Sequence, residues 1–205
     1  MIIKSFALLA GLALAALTMH TTTARAQEAG LEEAIFAGGC FWCVESAFDD
    51  VEGVKETISG YVGGHVENPG YKEVSAGRTG HAEALLVRFD PAEVSYEQLL
   101  DVFWRNVDPI DSGGQFCDRG SQYRTGIFWL TEAQRDAAVA SRQALDESSV
   151  LPKRIVTEIT KAGPYYPAED YHQDYHRRNP IRYTFYSTSC GRADRLKELW
   201  GPPKK

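Results

Sequence analysis

The sequence predicts an α/β or α+β fold, a mixed β-sheet with helices packed on it. Segments of strand character alternate irregularly with segments of 3.6-residue apolar periodicity. Two long stretches rich in turn residues, 65–80 and 108–122, interrupt them, and compact chains keep loops of that length mainly for function. After removal of an N-terminal leader, the length suits one domain, expected over residues 27–205.

The elements follow in order. The segment EEAIFAGG (32–39) reads as a buried strand that ends in glycines. From Cys40 the period changes: Cys40, Cys43, Val44, Ala47, Phe48 and Val51 form the apolar stripe of a helix, with Cys40 at its start. VKETISGYVGG (54–64) is a second strand. HAEALLVRFD (81–90) is a third, whose alternation sets His81, Glu83, Leu85, Val87 and Phe89 on one face. Residues 95–107 form a helix with Ser95 as its cap. YRTGIFWL (123–130) is a strand, and a polar helix runs from Thr131 and Glu132 to about Ser148. A strand over 154–163, a short helix over 168–180 and a terminal helix over 192–200 complete the reading.

The first residues are expected to lie outside the fold. Lys4, an apolar run from Phe6 to Leu17 and the small-residue site Ala24-Arg25-Ala26 describe a secretory leader cleaved near Ala26. The run is too short for a firm membrane span. Export to the periplasm is the corresponding expectation. The balance of 22 basic to 28 acidic side chains, net −6, favours solubility and argues against a nucleic-acid partner. A monomer without membrane insertion is expected.

Four cysteines remain: Cys40, Cys43, Cys117 and Cys190. A structural disulfide suits an exported chain, and zinc would need a second Cys-x-x-Cys that is absent from the sequence. Redox chemistry at Cys40 stands ahead of both. A helix N-terminus carries partial positive charge, which would stabilise a thiolate there, and the preceding glycines leave room for a ligand. Phe41 and Trp42 fall off the apolar stripe and are free to wall an apolar substrate group. Glu83, on a core-facing strand face, is costly as a carboxylate. Burial would raise its pKa and make it a proton donor near neutrality. His65 and His81 are the residues an acyl-transfer mechanism could recruit. His172 and His176 have an i, i+4 spacing that could bind zinc, but lack an acidic base and a third ligand, so no metal is expected.

With these residues in view, the stretches GCFWCVE (39–45), GYVGGHVENPGYKEVSAGRTGHAEA (60–84), YRTGIFWL (123–130) and YYPAEDYHQDY (165–175) resemble the A class of peptide methionine sulfoxide reductases. The likeness runs from about Ile35 to at least Asn179. It implies a two-layer α/β fold with a ferredoxin-like core, no bound cofactor, and reduction of the S epimer of methionine sulfoxide, free or in proteins. It implies Cys40 as nucleophile, Phe41 and Trp42 as the methyl pocket and Glu83 as the acid. Tyr71 and Tyr123 would hydrogen-bond the sulfoxide oxygen, with Asp118 helping to orient the site. Cys40 would pass through a sulfenic acid to a disulfide, which an external, thioredoxin-like dithiol reopens. Cys43 is the first candidate for the resolving thiol, and Cys190 the second, or a relay to the surface. Cys117 is read as structural. The rivals are a plain thiol–disulfide oxidoreductase using Cys40 and Cys43, and a metal-binding module using Cys40, Cys43, His172 and His176.

Overall fold

The computed structural model describes residues 30–202; the expected leader lies outside them. Strand β1 (Glu32–Gly38) leads into helix α1 (Phe41–Phe48), followed by β2 (Val54–Val62), a short helix α2 (Tyr71–Ser75) and β3 (Ala82–Phe89). Helix α3 (Tyr96–Arg105) precedes a small hairpin of β4 (Gly114–Gln115) and β5 (Asp118–Arg119). Then come β6 (Thr125–Trp129), α4 (Glu132–Glu147), β7 (Glu158–Lys161) and β8 (Tyr166–Pro167). Three helices end the described chain: α5 (Tyr175–Arg178), α6 (Pro180–Ser189) and α7 (Arg192–Trp200).

The main sheet has the order β7-β6-β1-β3-β2-β8. Its pairs are antiparallel except β6 with β7, so it is mixed, as expected. The four central strands, β6-β1-β3-β2, with α1 and α3 as their connections, form the ferredoxin-like core. Alternation decides which side is covered by helices. Ala34 and Phe36 of β1 and Leu85, Val87 and Phe89 of β3 share a face, and Phe36 pairs with Leu85 across the ladder. Onto that face pack Val44 and Phe48 of α1, Leu99, Leu100 and Phe103 of α3, and Ala138 of α4. Burying a side chain of this size is worth roughly 1.5–3 kcal/mol, so this layer anchors α1 and the residues at its start. The opposite face, with Ile35, Ala37, Ala84, Leu86 and Phe128, is closed by Tyr165, whose hydroxyl donates to the carbonyls of Ile58 and Ala84.

The expected cap holds: Ser95 accepts from the Gln98 amide. Thr131, read as the start of its helix, is the N-cap of α4 and accepts from the Gln134 amide. Three expectations need correction. The helix expected over 168–180 is broken, because Gln173 is extended and Asp174 adopts φ +52°. Gln173 bridges to the edge of β2 instead, accepting from Ser59 N at 2.9 Å and donating to Ser59 O at 3.0 Å. The strand expected from 154 starts only at Glu158, where pairing with Gly126 begins. The two long loops are partly ordered, as α2 and as the β4–β5 hairpin. Helix α6 and strand β8 were not foreseen.

Candidate active site

Cys40 is the N-cap of α1, and its carbonyl accepts from Cys43 N at 3.0 Å and Val44 N at 3.3 Å. The chain can enter the helix here because Gly39 has φ +85° and lies against Gln115; a Cβ at Gly39 would sit 2.5 Å from Gln115 Cβ. Glu83 is the second residue of β3, opposite Tyr61 of β2, and is 1% exposed. Its Oε2 accepts from the amide of Phe41 at 3.1 Å. Burial raises its pKa to about 8 despite that bond, so the carboxyl is neutral at pH 7 and holds a proton.

Cys40, Phe41, Trp42, Tyr71, Glu83, Asp118, Tyr123 and Tyr186 line one small cavity of about 60 Å³. Seven of these are the residues singled out in the sequence; the eighth, Tyr186, was missed. Its hydroxyl donates to Asp118 Oδ2 and also reaches the Cys40 thiol. A tyrosine three residues earlier, Tyr183, reaches Cys43. The one available signal was Asn179-Pro180, since proline at the first helical position starts a helix and puts Tyr183 and Tyr186 on one face.

The aromatic wall is built across distant segments. Trp42 stacks on Tyr175 with centroids 3.7 Å apart and donates from Nε1 to His172 Nδ1 at 3.1 Å. Burial lowers the His172 pKa, which keeps that nitrogen free to accept. Tyr71 is held by its amide, which donates to Glu169 Oε1 at 2.9 Å, while Tyr61 donates to the other oxygen of the same carboxylate. Burial pushes the phenols of Tyr71, to about 12, and of Tyr123 upward, so both remain proton donors.

The thiols depart from one expectation. The helix N-terminus does not leave Cys40 with a lowered pKa, because burial and the neighbouring Cys43 outweigh it and raise the Cys40 value well above normal. Cys43 is the sulfur that is lowered, to about 7, by its hydrogen bond with Cys40, by Arg192 and by Tyr183, against its own burial. Cys190 is engaged elsewhere: it forms a disulfide with Cys117, Cα–Cα 4.8 Å, tying the end of α6 to the β4–β5 hairpin. Cys43 is left free and buried beside Cys40.

The other histidines go elsewhere. His81 accepts from Gly64 N and contacts Val66 O, pinning the loop, and His65 does not line the cavity. His172 and His176 lie on separate elements: His172 meets Trp42, while His176 Nε2 lies 3.3 Å from Asp49 Oδ2. Among the described residues, one group of three potential ligands lies close enough for a metal, Cys117, Asp118 and Cys190, and its two sulfurs are bonded to each other.

A buried thiol that shares its cavity with a neutral carboxyl and a set of phenols, with a second free thiol one helical turn away, on a ferredoxin-like core, fits a thiol-dependent oxidoreductase. Comparison with known proteins narrows that class. A family model described as peptide methionine sulfoxide reductase matches residues 32–204. A peptide methionine sulfoxide reductase MsrA from Bacillus licheniformis is 51% identical over 170 residues, 83% of this chain and 94% of its own length. The protein of the same name from Bacillus subtilis is 50% identical, over 83% and 96% of the two chains. Methionine sulfoxide reductase A of Corynebacterium diphtheriae has a TM-score of 0.66 at 34% identity, covering 74% of this chain and 76% of its own. The reduced form of Mxr1 from Saccharomyces cerevisiae gives 0.69 at 30%, covering 75% and 88%. The chain belongs to the peptide methionine sulfoxide reductase family, and within it to the A class. Its activity is the thiol-dependent reduction of methionine S-sulfoxide to methionine.

Proposed function

We propose that Cys40 and Glu83 carry the reduction and that Cys43 resolves it. The observation that supports this most is that a buried thiol and a protonated carboxyl open onto the same cavity of about 60 Å³. The sulfoxide lies with its methyl against Phe41 and Trp42 and its oxygen towards Glu83, Tyr71 and Tyr123. Cys40 sulfur attacks the sulfoxide sulfur as Glu83 delivers a proton to the oxygen, and the Cys40 thiol proton passes to the Glu83 carboxylate. The oxygen passes to Cys40, methionine leaves, and Cys40 becomes a sulfenic acid. Cys43 sulfur then attacks that of Cys40, water leaves, and a Cys40–Cys43 disulfide forms. An external dithiol protein of thioredoxin type reopens it, two electrons reducing the disulfide to two thiols.

Asp118 and Tyr186 orient Cys40 from its far side, which the Tyr186–Asp118 hydrogen bond supports. The chain is exported: the leader pattern supports this, and the Cys117–Cys190 disulfide suits an oxidising compartment. Fractionation, with the mass of the mature N-terminus, tests it; a chain beginning at Met1 in the cytoplasm would refute it.

The mechanism is tested by single-turnover reduction of each methionine sulfoxide epimer by pre-reduced protein without added reductant. One methionine from the S epimer with loss of the Cys40 and Cys43 thiols is expected. Methionine release with only one thiol lost would exclude Cys43, and no release would exclude the mechanism.

A further inference from the structure

The Cys117–Cys190 disulfide joins the same two segments that supply Asp118 and Tyr186 to the substrate cavity. Cys117 lies in the turn of the β4–β5 hairpin, immediately before Asp118. Cys190 caps the end of α6, one helical turn after Tyr186. Asp118 and Tyr186 are hydrogen-bonded to each other, and Tyr186 also reaches the Cys40 thiol.

We propose that this disulfide is a reducible clamp: closed, it holds Tyr186 against Cys40, and a dithiol that opens it slows the attack on the sulfoxide. The inference rests on the orienting role given to Tyr186 above. Cys117 is exposed and Cys190 half-buried, so an incoming thiolate meets the Cys117 sulfur first. A bond forms between the two, the Cys117–Cys190 bond breaks, and Cys190 leaves as a thiolate. The dithiol's second thiol then attacks its own sulfur in the mixed disulfide and expels Cys117 as a thiolate. Two electrons pass to the clamp, and the dithiol ends oxidised. Oxidising surroundings, in which methionine sulfoxide forms, keep the clamp closed and the enzyme at full rate.

The packing around α6 makes it the element that responds. None of its residues is fully buried, and Ile181 and Phe185 are 86% and 75% exposed. Both its ends are breaks in the backbone: Asn179 has φ −131° and ψ 54°, and Gly191 has φ +66°, which favours glycine. The elements beyond these breaks have their own anchors. Arg195 of α7 pairs with Asp108 at 2.7 Å, Trp200 Nε1 donates to Val107 O at 3.1 Å, and Leu199 is buried. On the other side, Tyr175 of α5 stacks on Trp42. With the disulfide open, α6 is held by the hydroxyls of Tyr183 and Tyr186, and such bonds are weak in net terms because water competes for both partners. A segment with so little buried surface opens locally while the sheet stays folded.

The experiment follows single-turnover methionine release from the S epimer in the full chain carrying Cys43→Ser, so that Cys40 acts without a neighbouring thiol. Thiol counts separate the closed clamp, with Cys40 alone free, from the open one made by a phosphine reductant that is then removed. Opening should slow release roughly tenfold to a hundredfold, by the same factor as Tyr186→Phe in the closed chain, and reoxidation should restore it. In the Tyr186→Phe chain, opening should change release by less than about twofold, because both changes remove one contact. Hydrogen exchange should rise on opening at the amides of α6 and stay unchanged in β1 and β3. Equal rates in the open and closed chains, with Tyr186→Phe still slow, would overturn the clamp alone. Opening that slows the Tyr186→Phe chain as much as its parent, or that exposes β1 and β3 to exchange, would also overturn it, since the disulfide would then only brace the fold. If Tyr186→Phe releases methionine as fast as its parent, the orienting role fails, and this inference with it.

Discussion

The amide of Phe41 donates to Glu83 Oε2 across 3.1 Å, and this bond locks the first turn of α1 to the middle of the sheet. It fixes where the carboxyl sits relative to the sulfur one residue earlier. The bond favours the ionised carboxylate, yet burial prevails and the pKa stands at about 8. Glu83 is therefore both a positioned and a protonated group, which a general acid needs at neutral pH.

Glu83→Gln keeps the acceptor for Phe41 and nearly the same volume but has no carboxyl proton to give. Single-turnover methionine release should fall by about 10²–10⁴, while alkylation of Cys40 proceeds at close to the normal rate. Infrared difference spectra between wild type and this variant should show a neutral carboxyl up to pH about 8. A variant with near-normal release, or a carboxylate already ionised at pH 6, would remove Glu83 from the acid's role.

The Cys117–Cys190 bond predicts a division of labour among the sulfurs. It closes a loop over a sequence separation of 73, a constraint worth about 4 kcal/mol if unfolded-chain entropy dominates. The Cys117→Ser/Cys190→Ser pair should lose unfolding free energy of that order, read as a lower denaturant midpoint at unchanged slope, yet still lose two thiols per methionine released. Cys43→Ser should keep its stability and lose one. Were the double variant to stop at the sulfenic acid, Cys190 would be the resolving thiol after all.

Tyr186→Phe deletes a hydroxyl that reaches both Asp118 and Cys40 while keeping the ring at its edge-on contact with Trp42, centroids 5.8 Å apart. Loss of one buried hydrogen bond costs about 1–3 kcal/mol, which at the reacting sulfur corresponds to roughly tenfold to a hundredfold in rate. The loss should fall on kcat, with KM for the sulfoxide little changed, and the pH dependence of Cys40 alkylation should shift. A change in KM alone would mean that Tyr186 only shapes the pocket.

The sequence made the thiol, its aromatic wall and Glu83 legible because their signals are local. A period change at Cys40 and an alternation through Glu83 can be read without knowing the fold. Tyr71, Tyr123 and Asp118 came through the family resemblance alone, since nothing in their loops announces them. Tyr186 escaped because its role comes from α6 folding back over the start of α1, a contact spanning well over a hundred residues. The lowered Cys40 pKa was misjudged for a related reason: the helix terminus is visible in the sequence, whereas the depth of burial that outweighs it is a property of the whole packing. The break at Asp174 was hidden too, since the chain leaves the helix there to let Gln173 close the sheet edge at Ser59.

Glu45, two residues past Cys43, gives a prediction about stability that is independent of catalysis. Its side chain is 1% exposed, with Oε2 unpaired and 3.8 Å from His176 Nδ1. Burial, then the nearby Asp49 and Asp174, raise its pKa to about 7, against backbone amides of Asp174 and Tyr175 that favour the charge. The folded state thus holds this proton more tightly than the unfolded chain, whose carboxyl titrates near 4.5. Its contribution to stability is complete below pH about 4.5 and is lost as the pH rises to about 7, at about 1.4 kcal/mol per pKa unit. Glu45→Gln has no proton to lose, and its amide can donate towards the unpaired His176 nitrogen. The variant should match wild type near pH 5 and exceed it by a few kcal/mol at pH 8. Urea midpoints at both pH values decide the matter: parallel pH profiles for the two proteins would mean that Glu45 carries no extra proton in the fold.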